Sequence, residues 1–309
     1  MKVLGKTIKL YLVEGVPSGI ITAEVMNWTG KVTVCPRSQL SELAQRSEVK
    51  RTGIYILAGE DIDDSFKEVI YIGESENVFD RLKNHNSDST KDFWKKTVIF
   101  TNKDANLTKG HIRYLESRLI QIAKEANRAR LENGTNPEYT ILPESDIADM
   151  EYFIEQIKLL LPILGLTFAL PLSTLSKNQS TDNTTNEIQL ESPLFELTYG
   201  GVEAYAQEIN GEFIVFKGST VRKKEDSSLK DGAITQRKRI LREGKIIESP
   251  QSDYWILTEN LPLTSPSTAS KIVTGAEING RKYWKLKDSN QTYGDWQESK
   301  LNQIKDKED

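Results

Sequence analysis

Two short segments, each with one tyrosine and one glycine, limit what this chain can fold into. Gly53-Ile54-Tyr55 lies in the apolar run TGIYILAG, and Tyr71-Ile72-Gly73 lies in the run VIYIGES. Both runs are rich in β-branched and aromatic residues, which favours strands. The polar run GEDIDDSFKE between them is typical of the tip of a long hairpin. We therefore predict a β-hairpin in which each arm carries a tyrosine.

Charged side chains follow the hairpin at helical spacing. A helix from about Asn77 to Asn86 would place Arg81 and His85 one turn apart on the same face. A longer helix from Leu107 to Asn127 would carry Glu116 at the edge of an apolar stripe. A carboxylate bordered by apolar groups needs a partner, and a metal ion would serve.

Tyrosine, arginine, histidine and carboxylate are the groups that metal-assisted phosphodiester hydrolysis requires. Arginine matches the geometry of a phosphate, a tyrosine or histidine can move the proton of water, and one carboxylate can help to hold a hard divalent ion. Each residue also has a plainer interpretation. Tyr55 and Tyr71 could be strand residues with wet hydroxyls, Arg81 could be a surface residue of its helix, and Glu116 could be a half-exposed charge.

The same residues resemble the GIY-YIG nuclease family. Both name motifs of that family match letter for letter, over roughly residues 50–135. Arg81 falls ten residues after Tyr71, where the family carries its catalytic arginine, and His85 falls where many members carry a histidine. Glu116 matches the metal-binding glutamate on a helix.

The resemblance implies a DNA endonuclease that depends on Mg²⁺ or Mn²⁺. Tyr55 would help to activate water, assisted by His85, and Tyr71 would orient phosphate or water. Arg81 would hold the phosphate, and Glu116 would bind the metal ion. DNA would be the substrate, although RNA is not excluded by these residues.

A late asparagine of the family is harder to place. Asn133 lies where the chain could turn back, and we prefer it to Asn136. Asn127 faces the same way as Glu116 but would lie about 16 Å further along the helix axis. We therefore take Asn133, with Gly73, as the candidate substrate-binding residues.

The fold class predicted from the whole chain is α+β. We expect a small antiparallel sheet flanked by helices, with a β-rich unit before it and an α+β domain after it. A stretch nearly free of large apolar groups separates the two halves. The predicted regions are a β-rich unit at 1–48, the nuclease-like domain at 49–165, a flexible linker at 166–191, a C-terminal domain at 192–287 and a charged tail at 288–309.

The C-terminal region carries a hairpin signal and two helix signals. Asn210-Gly211 is typical of a hairpin turn, ITQRKRILREG reads as a basic amphipathic helix, and SPSTASKIVTG predicts a helix that opens at Ser265 or Ser267. The region resembles an uncharacterised domain of the DUF4357 type that accompanies such nucleases and restriction-modification proteins. The matching residues are Phe216-Lys217-Gly218-Ser219, Ser265-Pro266-Ser267-Thr268-Ala269-Ser270, Gly275, Asn279-Gly280 and Tyr283-Trp284. This association adds a restriction or defence protein as a candidate partner.

The distribution of charge along the sequence suggests a binding protein as a second class of function. The net charge is −4, which does not favour DNA binding by the chain as a whole. The segment from Lys217 to Lys245 contains ten Lys and Arg residues but only four Asp and Glu residues. This excess of positive charge could form a phosphate-binding patch or an ordinary solvated surface. A catalytically weak DNA- or protein-binding module of a restriction system is therefore the alternative to an enzyme.

Cysteine content and hydropathy indicate the compartment. The single cysteine, Cys35, excludes a disulfide framework and favours a reducing, cytoplasmic setting. The first residues lack the apolar core of a signal peptide. The most apolar stretch, Ile157 to Leu172, is interrupted by a lysine, a proline and a glycine, so we expect no membrane span.

Overall fold

The structure is a computed structural model that describes residues 5–60, 68–134, 141–170, 191–251 and 253–305. The chain divides into two compact units, Met1–Pro171 and Leu172–Asp309. Each unit combines helices with sheets of mainly antiparallel strands, which confirms the predicted α+β class. No helix in the described ranges has the length and hydropathy that a membrane crossing requires.

The first unit is built on one seven-stranded sheet in the order β1-β2-β3-β6-β4-β5-β7. All its pairs are antiparallel except β5 with β7. Three short 3₁₀ turns, at Arg37–Gln39, Ser47–Lys50 and Ser89–Lys91, join the elements. The elements are β1 (Ile8–Leu12), β2 (Ile21–Val25), β3 (Gly30–Pro36), α1 (Leu40–Leu43), β4 (Gly53–Glu60), β5 (Glu68–Ser75), α2 (Val78–Asn86), β6 (Trp94–Asn102), α3 (Lys109–Ala126), β7 (Arg130–Leu131) and α4 (Glu144–Ile163).

The N-terminal strands belong to this same sheet. The predicted β-rich segment is present, but β3 pairs with β6 along its whole length, so the segment does not form a separate layer. Val32 and Val34 of β3 pack in one core with Val98 and Phe100 of β6. The sheet is therefore larger than the small sheet that the sequence suggested.

Strand β4 is buried on both faces, which explains its nearly continuous apolar sequence. Ile54 and Ile56 face the core that α3 and α4 cover, whereas Tyr55 and Leu57 face a second core that includes residues of α2. The predicted hairpin is confirmed, because β4 pairs with β5 over eight residue pairs. The middle of its predicted tip, residues 61–67, lies outside the described residues.

Side chains fix the starts of the two helices that carry predicted site residues. Asn77 caps α2 by accepting a hydrogen bond from the backbone N–H of Asp80. Thr108 and His111 bond reciprocally at the start of α3, which therefore begins two residues later than predicted.

The predicted linker starts later than expected. Leu166, Phe168 and Ala169 are buried in the core of the first unit, because the chain turns back at Gly165 after α4. The rest of the predicted linker, apart from Glu191, lies outside the described residues.

The second unit contains a five-stranded sheet and a three-stranded sheet. Their orders are β14-β10-β9-β8-β15 and β11-β13-β12. One core joins both sheets and includes Phe195, Phe213 and Trp284. The elements are β8 (Phe195–Tyr199), β9 (Val202–Ile209), β10 (Glu212–Val215), β11 (Thr220–Arg222), α5 (Asp231–Arg242), β12 (Ile246–Glu248), β13 (Tyr254–Leu257), β14 (Leu261–Leu263), α6 (Pro266–Thr274), α7 (Gly280–Tyr283), β15 (Lys285–Leu286) and α8 (Tyr293–Lys305).

The local signals of this unit are found as predicted, except at its end. Asn210-Gly211 joins β9 to β10, and Ser265 rather than Ser267 caps α6. The predicted charged tail instead contains α8. Tyr293 and Trp296, three residues apart on one helix face, pack on the core, and this packing holds α8 against the unit.

The end of α6 gives a test of this fold. Gly275 has a φ of +68°, and a Cβ there would lie 2.5 Å from the carbonyl oxygen of Lys224. Gly218 has a φ of +87° with open space around it. We expect Gly218→Ala to lower the free energy of unfolding by about 1 kcal/mol through backbone strain alone. Gly275→Ala adds a steric clash and should cost about 2–4 kcal/mol in denaturant titrations. Equal losses would contradict the close approach at Gly275.

Candidate active site

The two tyrosines lie side by side because of the hairpin register. Tyr55 pairs with Gly73 and Tyr71 pairs with Leu57, so both rings point to the same face of the sheet, with their centroids 6.3 Å apart. A Cβ on residue 73 would lie 2.4 Å from the Tyr55 hydroxyl oxygen. Gly73 is therefore needed to make room for the Tyr55 ring.

His85 completes an aromatic cluster over this face. Buried residues Val78 and Leu82 anchor α2 against the sheet, and His85, one turn further, is only 5% exposed. Its Nε2 lies 2.7 Å from the Tyr55 hydroxyl oxygen, and its ring centroid lies 5.2 Å from that of Tyr71. The Tyr55 hydroxyl donates to Nε2 when the imidazole carries its own proton on Nδ1.

The surroundings keep His85 uncharged at neutral pH. Burial is the largest cause that lowers the pKa of His85, the cations Arg81 and Lys91 lower it further and Asp88 opposes them, and together they leave this pKa at about 4. Burial also raises the pKa of Tyr55 well above its usual range. The pair therefore consists of a protonated phenol beside an imidazole that is free to accept a proton.

Arg81 is the exposed member of the cluster. It lies one turn before His85 on α2. Interaction with the hydroxyls of Tyr55 and then Tyr71 raises the pKa of the Arg81 guanidinium. The guanidinium thus sits beside both phenols, with part of its surface open to solvent.

Glu116 lies on α3, which packs on the opposite face of the sheet from α2. Ile112, Leu115 and Leu119 hold α3 on the sheet and leave Glu116 half-buried. Burial and, after it, the negative charge of Glu74 raise the pKa of Glu116, which lies at about 7 when all neighbours are included. The backbone of Glu74, followed by Arg81 and Arg113, opposes it. The charge of Glu116 also acts on Tyr55.

The structure places Tyr55, Tyr71, Arg81 and His85 in one cluster, and Glu116 lies near enough to act electrostatically on Arg81 and Tyr55. The links are the Tyr55–His85 hydrogen bond, the ring contacts of Tyr71, the position of Arg81 beside both phenols, and the electrostatic coupling of Glu116 to Arg81 and Tyr55. They come from two strands and two helices that are distant in sequence.

Asn133 has a structural position instead. Its amide accepts from the backbone N–H of Ile72 at 3.0 Å and donates to the carbonyl of Ile72 at 2.7 Å, which continues the β5–β7 ladder by one step. Both polar groups of the side chain are used, so its predicted contact with substrate remains a prediction. Asn136 lies outside the described residues, and Asn127 forms the left-handed cap of α3.

Two residues near the site were missed or left aside by the sequence analysis. Lys91 is 9% exposed, and its Nζ lies 4.1 Å from the centroid of the Tyr71 ring. It lies in a 3₁₀ turn, where no periodic pattern marks a residue as buried. Glu74, directly after Gly73 in the second motif, lies close enough to Glu116 to raise the pKa of that carboxyl.

The donor set fits a hard divalent ion that is held mainly by substrate and water. Among the described residues no group of three or more His, Cys, Asp or Glu could enclose a metal ion. The backbone of Glu74 and the charges of Arg81 and Arg113 do not offset the burial of the Glu116 carboxylate, so its pKa stays raised. Mg²⁺ commonly takes one or two protein carboxylates and completes its shell with water and phosphate oxygens. Glu116 is therefore the residue that would hold such an ion.

Comparison with known proteins identifies the second unit only. Residues 195–297 match the family described as a domain of unknown function (DUF4357), which agrees with the resemblance seen in the sequence. No curated protein and no solved structure matches the chain. The nuclease resemblance of residues 50–135 gains no support from these comparisons and rests on its motifs.

The close contact at Gly73 can be tested. Gly73→Ala should lower the free energy of unfolding by about 1–3 kcal/mol, because the added methyl displaces the Tyr55 ring from the sheet. Gly134→Ala, at an exposed position with nothing within 4 Å of its Cβ, is the control and should change it by no more than about 0.5 kcal/mol. Equal stability of the two variants in urea titrations would contradict the packing of Tyr55 on Gly73.

The raised pKa of Glu116 predicts a pH-dependent effect on stability. An acid whose pKa is higher in the fold than in the unfolded chain lowers the free energy of unfolding once it loses its proton. For Glu116 this loss of stability begins at about pH 4.5, grows up to about pH 7 and is complete above that pH. We expect Glu116→Gln to raise the free energy of unfolding by about 1–2 kcal/mol at pH 8 and to change it little at pH 4. Glu125→Gln, at an exposed site on the same helix, should have little effect at either pH. A Glu116→Gln variant that is less stable than wild type at pH 8 would contradict the raised pKa of Glu116.

Proposed function

We propose that the first unit is a divalent-metal-dependent endonuclease that hydrolyses DNA phosphodiester bonds. The observation that carries the proposal is the convergence of Tyr55, Tyr71, Arg81, His85 and Glu116 on one region of the sheet. Each chemical class that the reaction needs is supplied once or twice in that cluster, and all five positions follow the motif order of GIY-YIG nucleases.

Tyr55 and His85 would activate the attacking water. Tyr55 is too weak an acid to ionise by itself, because its burial raises its pKa. Its hydroxyl oxygen can take a proton from water while its own proton passes to Nε2 of His85, 2.7 Å away. The low pKa of His85 keeps Nε2 free to accept that proton at neutral pH.

Arg81 and Tyr71 would hold the phosphate. The guanidinium fork of Arg81 can bind two non-bridging oxygens, and its exposed side leaves room for them. Tyr71 contacts the His85 ring and interacts with Arg81, and its hydroxyl can orient the same phosphate. A divalent ion on Glu116 would neutralise charge on the phosphate and assist the leaving oxygen.

The second unit would add substrate contacts. Lys238 and Arg242 are exposed on α5, whereas Arg237 of the same helix is buried and donates to backbone carbonyls and to Glu225. The excess of positive charge seen in the sequence is therefore partly internal. A role in restriction, defence or repair, with a partner protein, follows only from the association of such domains with nucleases.

The alternative is a DNA- or protein-binding module with little or no activity. The observation that favours it is the small donor set around Glu116, and the net charge of −4 favours a protein over DNA as the partner of such a module. Such a module would use Arg81 and the second unit for contact, and it would not need the proton path between Tyr55 and His85.

A cleavage assay separates the two proposals. Supercoiled plasmid and branched duplexes would be incubated with the protein and Mg²⁺ or Mn²⁺, with EDTA as a blank. We expect Arg81→Ala and Glu116→Gln each to reduce the cleavage rate by at least about 100-fold, because each removes charge stabilisation of the transition state. Lys83→Ala and Glu125→Gln, exposed neighbours on the same helices, should cut at the wild-type rate.

Folding must be followed in the same samples. Far-ultraviolet circular dichroism of Arg81→Ala and Glu116→Gln should match that of wild type. Full cleavage activity in either variant would overturn the nuclease proposal, and metal-independent binding without any cleavage would support the binding module.

A further inference from the structure

A lysine that no motif identifies lies inside the candidate active site. Lys91 follows α2 in the 3₁₀ turn Ser89–Lys91 and is 9% exposed. Its Nζ lies 4.1 Å from the centroid of the Tyr71 ring, and its charge acts on His85. Tyr71 is thus flanked by two cations, with Arg81 at its hydroxyl and Lys91 over its ring.

Nothing in the described ranges neutralises this ammonium. No carboxylate there lies within ion-pair distance of Nζ, and Asp88, which Lys91 influences, instead accepts hydrogen bonds from the backbone and hydroxyl of Thr90. The Lys91 nitrogen is not fully enclosed by protein, so it keeps contact with solvent. The cation–π contact with Tyr71 attracts the ammonium without neutralising it.

Several contacts of Arg37 hold this turn in place. Arg37, from the N-terminal segment, donates to the carbonyl of Lys91 at 3.2 Å and to the side chain of Asn86 at 3.0 Å. Its guanidinium also lies 5.0 Å from the centroid of the Trp94 ring. The backbone that carries the Lys91 side chain is therefore held in place before any ligand arrives, which limits where the ammonium can reach.

We propose that Lys91 is a substrate-binding residue whose ammonium contacts a non-bridging oxygen of a DNA phosphate beside Arg81. The inference rests on the proposed nuclease function and adds a second cation to its phosphate site. An ammonium that pairs with no carboxylate of the described residues fits an external anion, and a phosphodiester next to Tyr71 is the anion that the proposed reaction brings there.

The test compares Lys91 with a matched lysine on α2. Lys83 also lies over an aromatic ring, 5.5 Å from the centroid of Phe79, but it is exposed and paired with Asp80. Binding of a short fluorescein-labelled DNA duplex would be measured by anisotropy in EDTA over a range of salt concentrations, and cleavage would be measured with Mn²⁺. The variants are Lys91→Met, Lys91→Arg and Lys83→Met in the full chain.

We expect Lys91→Met to weaken DNA binding on the order of tenfold and to reduce the salt slope by about one, since one phosphate contact is lost. Lys91→Arg, which keeps the charge, should bind within about threefold of wild type, and Lys83→Met should resemble wild type. The melting temperature of Lys91→Met should change little, because the substitution breaks no ion pair among the described residues and keeps an apolar side chain of similar length.

The outcomes distinguish this inference from the function on which it rests. If wild type cuts DNA and Lys91→Met binds and cuts as Lys83→Met does, the role of Lys91 is overturned and the nuclease stands. If wild type neither binds nor cuts DNA, both proposals fall. Binding without cleavage, weakened in Lys91→Met, supports the contact and overturns the nuclease. A lower melting temperature in Lys91→Met with a normal Lys91→Arg would make Lys91 a packing residue.

Discussion

The pairing of β4 with β5 is the constraint on which the candidate site depends. Because Tyr55 lies opposite Gly73 and Tyr71 lies opposite Leu57, the two phenols share one face and stand as diagonal neighbours. A shift of β5 by one residue would send the Tyr71 ring to the opposite face of the sheet, away from Tyr55. The helices then contribute what the hairpin lacks, with an imidazole and a guanidinium from α2 and a carboxylate from α3.

The site also depends on chain outside the motif region. The N-terminal strands cover one side of β6, which itself supports β4, and Arg37 braces the turn after α2. The nuclease-like motifs therefore do not fold as an isolated hairpin with two helices. The β-rich segment that precedes them forms part of the scaffold that sets the positions of the aromatic cluster.

Much of this arrangement could be predicted from the sequence, and the failures have physical reasons. Local signals located the hairpin, α2, α3 and α6, because strand alternation, helical stripes and caps act over a few residues. The pairing of β3 with β6 and the packing of α8 by Tyr293 and Trp296 are long-range contacts that no local pattern encodes. Lys91 was missed for the same reason, since its burial results from its contact with Tyr71.

The edge of the sheet beside the site has a consequence for the lifetime of the protein. Asn133 is followed by Gly134, and asparagine-glycine pairs lose ammonia readily when the glycine nitrogen attacks the side-chain amide. Here that amide is bound at both ends to Ile72, so the attack would first have to break two hydrogen bonds. Conversion to aspartate would set an oxygen against the carbonyl of Ile72, one residue before Gly73, and would loosen the strand on which Tyr55 packs. The same two bonds that extend the sheet thus shield the site from chemical ageing.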